Sequence, residues 1–108
     1  TPDALQTCIL NIREQFSDKH ISVLFGCGGD RDKGKRSKMG KIADNYADKI
    51  YLTDDNPRHE RPKKIRDEIK RGIKKRQIIE ISNRKEAIAK AINNLNTGDI
   101  LIVAGKGH

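Results

Sequence analysis

The chain has 108 residues, with 23 Lys and Arg against 15 Asp and Glu, so its formal net charge is +8. This length suits one domain. No apolar run approaches the roughly 18 residues of a membrane-spanning helix, and no signal segment opens the chain, so we expect a cytoplasmic protein. Cys8 and Cys27 are too few for a disulfide framework or a zinc site. Aromatic residues at 4% argue against a base-stacking surface for nucleic acid.

Apolar residues alternate between helical and strand spacing along the chain. The predicted elements, in chain order, are a helix that opens at Thr1-Pro2, a strand at 21–25, a helix around 39–47, a strand at 49–53, a helix that opens at Pro62, a strand at 77–81, a helix around 87–95 and a strand at 100–104. Alternating helices and strands predict an α/β fold, with a mostly parallel sheet and helices on both faces. The strand at 100–104 is the most hydrophobic, so we expect it at the centre of the sheet. The helix faces that we expect to be buried include Phe16 and Ile92.

Both ends of the chain look like cuts through a larger protein. The first residues already cap a helix, and residues 105–108 form a loop directly after a core strand. We therefore expect the domain to be truncated at its C-terminal end.

Three loops follow predicted strands at the sheet edge where ligands of open α/β sheets bind. They are residues 26–36 (GCGGDRDKGKR), 53–58 (TDDNPR) and 105–108 (GKGH). Glycines let backbone N–H groups approach an anion closely, and Arg31, Lys33 and Lys35 could pair with it. An anionic ligand is one interpretation, and a solvated basic loop is the other.

The glycine loop matches neither standard nucleotide-binding motif. The spacing from Gly29 to Lys35 fits a P-loop, but Arg36 stands where Ser or Thr must hold magnesium. Gly26-Cys27-Gly28 begins a dinucleotide fingerprint, but Arg31 occupies the position of its third glycine.

The Asp55-Asn56-Pro57-Arg58 turn is a second candidate for ligand binding. Pro57 fixes its own φ and restricts Asn56 to extended conformations. Arg58 offers a planar fork for a carboxylate, and Asn56 offers a donor and an acceptor. An ordinary Asx-Pro turn with an exposed arginine is the alternative.

Residues 58–76 hold ten Lys and Arg against three Asp and Glu. Around Ile65, Ile69 and Ile73 this pattern is typical of the solvated face of a helix. A competing hypothesis is a basic module that binds nucleic acid through residues 31–41 and 58–76, with a steep salt dependence. The sequence offers no Cys, His and Asp arrangement for nucleophilic catalysis and no metal site.

Taken together, segments 26–36, 55–58 and 104–108 resemble, in order and spacing, the C-terminal domain of the Mur ligases. The resemblance spans essentially the whole chain. It implies a single Rossmann-like domain over 1–108 that binds an amino acid, with the UDP-sugar-binding and ATP-binding domains outside this chain. It also implies ATP-dependent amide-bond formation through an acyl phosphate, with ATP and Mg²⁺ bound mainly by those other domains. The isolated fragment is expected to be inactive.

The same resemblance assigns roles to individual residues. It implies that Arg31 pairs with the near carboxylate of meso-diaminopimelate. Asn56 and Arg58 would bind the distal carboxylate, with Asp55 in the same motif, and Gly105 would contact the distal amino-acid centre. Lys33 would face the ATP phosphates. The other implied substrate is a UDP-N-acetylmuramoyl dipeptide, and no membrane or nucleic-acid partner is expected. The family motif continues with a glutamate directly after the position of His108.

Overall fold

A computed structural model describes residues 1–30 and 32–105 of the chain. Within these residues the elements are α1 (Pro2–Gln15), β1 (Ile21–Phe25), α2 (Gly34–Tyr46), β2 (Lys49–Leu52), α3 (Pro62–Lys70), β3 (Gln77–Glu80), α4 (Arg84–Asn93) and β4 (Ile100–Val103). Every predicted element is present, and β2, β3 and β4 each end one residue earlier than predicted. The second helix begins at Gly34 rather than near residue 39, so residues 34–36 of the predicted glycine loop are helical. None of these helices combines the length and apolarity that a membrane crossing needs.

The four strands form one parallel sheet in the order β3-β2-β1-β4. Val23 of β1 lies between Ile50 of β2 and Ile102 of β4. Because all neighbouring strands are parallel, their carboxyl ends meet at the same edge of the sheet. The predicted α/β fold class and parallel sheet are confirmed.

Among the described residues, the strand at 100–104 does not occupy the central position that we expected. In the described part of the sheet, β4 lies at an end and pairs with β1, whereas all five residues of β1 are buried. Ile102 is buried and Ile100 and Leu101 are half-buried, whereas Val103 is 47% exposed. Ile102 packs towards the cluster under α1, α2 and α3, and Leu101 packs towards α4.

Helices cover both faces of the sheet, as predicted. The larger cluster joins α1, α2 and α3 to one face, and Ile9, Val23, Ile50 and Ile69 are completely buried in it. On the other face, Ala87 and Ala91 of α4 pack against Leu24 and Tyr51. Small alanines let α4 approach the sheet closely, and Asn94 Nδ2 donates to the hydroxyl of Tyr51 over 3.0 Å.

Side-chain caps explain where two helices begin. Thr1 Oγ1 accepts a hydrogen bond from the backbone N–H of Ala4, 3.1 Å away, and Asn83 Oδ1 accepts one from Glu86, 2.9 Å away. Such caps satisfy N–H groups that a helix start leaves unpaired. Two residues expected on buried faces are instead exposed. Phe16 follows the last turn of α1, and Ile92 lies beside the alanine stripe of α4 rather than on it.

Candidate functional site

A cleft of about 670 Å³ lies at the carboxyl edge of the sheet. Five segments line it: the start of α1, the glycine loop, the first turns of α2, the turn at 55–58 and the end of β4. Among its lining residues are Asp55, Asn56, Arg58 and Gly105. The structure therefore brings together four of the residues predicted to bind substrate.

The glycine loop and the 55–58 turn are in direct backbone contact. The N–H of Gly29 donates to the carbonyl of Asn56 over 2.8 Å, and Arg58 Nη1 donates to the carbonyl of Gly29 over 2.9 Å. A Cβ atom at Gly29 would overlap the carbonyl of Pro57. The two loops can meet in this way only because residue 29 has no side chain.

The 55–58 turn is held by its own polar groups. Asn56 Oδ1 accepts from the N–H of Arg58 over 3.2 Å, and Asp55 Oδ1 accepts from the N–H of Asn56 over 2.8 Å. Arg58 has a φ of 50°, in the left-handed region that a side chain rarely adopts. Arg58 is also exposed, so both parts of the Asx-turn interpretation, the turn and the exposed arginine, are confirmed, although Arg58 also lines the cleft. Oδ1 of Asn56 already accepts the hydrogen bond from Arg58 within the turn. The Nδ2 group of Asn56 is therefore the donor that this side chain can offer a ligand.

The end of β4 approaches both of these loops. Gly105 has a φ of 74°, and a Cβ atom there would lie 3.4 Å from the carbonyl oxygen of Gly26 and 3.9 Å from Asp55 Oδ2. Residue 105 therefore adjoins the glycine loop and the turn at once. The remainder of the 105–108 loop lies outside the described residues.

Lys33 and Lys35, two of the basic residues predicted to pair with an anion, lie at different places relative to the cleft. Lys35 is exposed and lines the cleft, whereas Lys33, also exposed, lies at the start of α2 and is not one of the lining residues. Arg31 lies outside the described residues. Asp32 Oδ1 accepts from the N–H of Gly34 over 2.9 Å, so the loop satisfies one of its own N–H groups at the helix start.

Arg36 is a structural residue whose role the sequence analysis missed. Its side chain is 1% exposed and forms a two-pronged ion pair with Glu60, with N–O distances of 3.0 and 2.7 Å. Nη1 also donates to Glu68 over 2.9 Å, and Nη2 to the carbonyl of Gly28 over 3.0 Å. A signal was available: Arg36 precedes Met39, Gly40 and Ala43 at helical spacing, which places it on the buried face of α2.

The charges of this network stabilise one another. Hydrogen bonds from Arg36 and from the N–H of Asp30 lower the pKa of Glu60 to about 2. The bonds to Glu60 outweigh burial and raise the pKa of Arg36 above its already high value. Both groups are therefore charged at neutral pH.

A second ion-pair network supports the turn from the α3 side. Arg66 donates to Asp54 over 2.5 Å and to Glu80 over 2.7 Å, and Ser82 Oγ donates to Asp54. Lys70 pairs with Glu80 over 2.8 Å. Part of the basic segment 58–76 is thus engaged in ion pairs beside the helix, while Ile65 and Ile69 are buried as predicted.

Cys27 lies half-buried in the cleft wall. Burial raises the pKa of its thiol to about 11, so it is a protonated thiol at neutral pH. Across residues 1–30 and 32–105, no group of three or more His, Cys, Asp or Glu side chains is placed to hold a metal ion. What the cleft offers chemically is charge and hydrogen bonding for a polar ligand.

A parallel sheet with a cleft at its carboxyl edge is the arrangement in which open α/β domains bind their ligands. The chain belongs to the Mur ligase family, because residues 1–107 match the family described as "Mur ligase, glutamate ligase domain". It is similar over its whole length to proteins named UDP-N-acetylmuramoyl-L-alanyl-D-glutamate–2,6-diaminopimelate ligase. Identity over 109 residues is 58% for the proteins of Rickettsia conorii and Rickettsia rickettsii, and 55% for that of Rickettsia felis. The matches cover 100% of this chain but only 23%, 23% and 21% of those relatives.

Proposed function

We propose that this chain is the amino-acid-binding domain of an ATP-dependent ligase in peptidoglycan-precursor synthesis. The ligase joins meso-diaminopimelate to UDP-N-acetylmuramoyl-L-alanyl-D-glutamate. The names of relatives 55–58% identical to the chain support this substrate pair. The observation that carries the proposal is the meeting of Asn56, Arg58 and Gly105 at one cleft.

The distal carboxylate of diaminopimelate is what distinguishes it from lysine. Arg58 presents a planar fork at the cleft, and its Nη1 is already held by the carbonyl of Gly29. The rest of the guanidinium and Nδ2 of Asn56 then bind the distal carboxylate. When lysine binds, these donors lose their partner, and a site built around a polar partner rejects the analogue that lacks it.

The other substrate contacts follow the family resemblance. Arg31 pairs with the near carboxylate of diaminopimelate, Gly105 contacts its distal centre, and Asp55 lies beside Gly105 on the cleft wall. ATP supplies the phosphoryl group that activates the carboxylate of the UDP-linked substrate. ATP and Mg²⁺ bind mainly through other parts of a longer protein, and Lys33 faces the ATP phosphates. This chain binds and orients the incoming amino acid.

In this proposal, residues 1–108 are one domain of a cytoplasmic enzyme, and the UDP-sugar-binding and ATP-binding domains belong to the same full-length protein. The described part of the chain accounts for one step of the reaction, the presentation of an amine to an activated carboxylate. We therefore expect no ligase activity from the 108 residues alone.

The test is an assay of the full-length protein with ATP, Mg²⁺, UDP-N-acetylmuramoyl-L-alanyl-D-glutamate and labelled diaminopimelate or lysine. We expect tripeptide product with diaminopimelate, much less with lysine, and none from the 108-residue chain. Equal use of both amino acids would contradict the proposed specificity. A titration with duplex DNA at several salt concentrations tests the competing hypothesis, since phosphate-backbone binding weakens steeply with salt.

A further inference from the structure

The carboxylate of Glu60 joins the two loops that carry the proposed substrate-binding arginines. Glu60 Oε2 accepts a hydrogen bond from the N–H of Asp30 over 2.5 Å. Asp30 directly precedes Arg31, and Glu60 lies two residues after Arg58. The Glu60 carboxylate therefore bonds to the backbone next to Arg31. In the chain, the same residue lies close to Arg58. Glu60 is not one of the residues that line the cleft.

Arg36 fixes the position of this carboxylate. Each oxygen of Glu60 accepts from one Nη group of Arg36, and such two-pronged pairs define geometry as well as charge. Arg36 is itself anchored to α3 through Glu68 and to the glycine loop through the carbonyl of Gly28. The Glu60 carboxylate is thus attached to helices α2 and α3 rather than to a free loop.

We propose that Glu60 is a positioning residue for the amino-acid substrate. Together with the bonds between Gly29 and the 55–58 turn, it fixes the backbone of Asp30, the residue before Arg31, relative to that turn. The proposal rests on the proposed function. A ligand with a charged group at each end requires both sets of partners at a fixed distance, and a misplacement of about 1 Å costs on the order of 100-fold in rate.

The chain contains a matched control for this role. Glu68 also pairs with Arg36, at 2.9 Å, and its side chain is 11% exposed against 12% for Glu60. Glu68 lies within α3, and its hydrogen bond in the described structure is to Arg36 rather than to the glycine loop. Glu68→Gln therefore removes a carboxylate from the same buried arginine but keeps the bond to Asp30.

The experiment compares Glu60→Gln and Glu68→Gln in the full-length protein. Kinetics give KM and kcat/KM for diaminopimelate and lysine, and hydrogen exchange reports on the peptide covering residues 26–33. We expect Glu60→Gln to reduce the preference for diaminopimelate by roughly 10- to 100-fold, mainly through KM. Exchange in the 26–33 peptide should become faster, because a neutral amide in place of the Glu60 carboxylate is a weaker acceptor for the N–H of Asp30. Glu68→Gln should lower the thermal midpoint and leave the preference within about twofold of wild type.

A second variant keeps the proposal testable if Glu60→Gln folds poorly. Glu60→Asp keeps a negative charge for Arg36 but draws the carboxylate back from Asp30, so it should reproduce the loss of preference. If both Glu60 variants leave preference and exchange unchanged, or if Glu68→Gln changes them equally, the positioning role is refuted. A wild-type protein that adds no diaminopimelate would refute the proposed function instead. The exchange measurements would then still decide whether Glu60 joins the two loops.

Discussion

Arg58 Nη1 donates a hydrogen bond to the carbonyl oxygen of Gly29, 2.9 Å away, although the two residues are far apart in sequence. One arm of the guanidinium is thus fixed by the protein before any ligand binds. A fixed side chain loses less conformational entropy when it binds a carboxylate. This contact makes the 55–58 turn and the glycine loop adjoining parts of one cleft.

Arg58 should determine the preference for diaminopimelate over lysine. Arg58 is exposed in this structure, and its pair with a carboxylate becomes desolvated only when diaminopimelate occupies the cleft. Truncation of one partner of such a desolvated charge-assisted pair costs about 2–5 kcal/mol. Arg58→Ala in the full-length protein should therefore lower kcat/KM for diaminopimelate by roughly 30-fold or more, and that for lysine much less. Arg58→Lys should recover little, because an ammonium group cannot reproduce the planar fork.

Arg71→Ala provides the control for the loss of one positive charge. Arg71 is exposed and lies at the end of α3 that is remote from the turn. The Arg71→Ala variant should leave kcat/KM for both diaminopimelate and lysine unchanged. If Arg58→Ala reduces the use of both amino acids by the same factor, Arg58 serves the turn and does not select the substrate.

Gly29→Ala should separate the two loops. Its methyl group would overlap the carbonyl of Pro57, which is backbone and cannot move aside cheaply. Overpacking of this kind costs about 1–3 kcal/mol, and KM for diaminopimelate should rise. Gly34→Ala at the first residue of α2 is the control, since its methyl group would meet only the side-chain Oδ1 of Asp32, at 3.3 Å. Comparable unfolding midpoints and KM values for the two variants would contradict the close approach.

Asp44 should make stability depend on acid pH. Burial alone would raise the pKa of its carboxyl, but hydrogen bonds from the backbone N–H groups of Arg76, Lys74 and Lys75 outweigh burial and lower it below the usual 3.8. A carboxyl with a lowered folded-state pKa contributes stability above its unfolded pKa and loses it as the pH falls. The free energy of unfolding should therefore fall as the pH drops below about 4.

Asp44→Asn tests this assignment. The loss of a charged acceptor for these partly buried N–H groups should cost about 1–3 kcal/mol at pH 7. The free energy of unfolding of the variant should also decline less steeply between pH 5 and pH 2. Urea unfolding of the full-length protein measures this decline, and hydrogen exchange of peptides from this domain shows when the domain itself unfolds. A decline as steep as that of wild type would assign the acid sensitivity to other carboxyls.

Cys8 and Cys27 should react with alkylating agents at different rates. Cys8 is exposed, whereas burial raises the pKa of the Cys27 thiol to about 11. Because the thiolate is the nucleophile, iodoacetamide at pH 8 should modify Cys8 well before Cys27, as followed by peptide mass spectrometry. Modification of Cys27 first, in the folded protein, would show that the cleft wall leaves it more accessible than the structure indicates.

The sequence by itself determined the elements and the class of fold. Apolar spacing located all the helices and strands described here, and Thr1 marked the start of the first helix through its side-chain oxygen. These features depend on local geometry, which neighbouring residues encode. The parallel arrangement followed too, because strands that alternate with helices leave few other topologies. The loops that contain Gly29 and Arg58 were also identified, because glycine frees the backbone and proline restricts it in known ways.

Only the tertiary structure decided which of these groups meet. The position of β4 depends on which side of β1 the chain returns to, and a strand's own hydrophobicity does not encode that choice. The burial of Arg36 required carboxylates from Glu60 and Glu68, which lie 24 and 32 residues away in the chain. An arginine is buried only where such partners offset its loss of hydration. Contacts between distant loops depend on how helices and sheet pack together, so their chemistry becomes visible only in the folded chain.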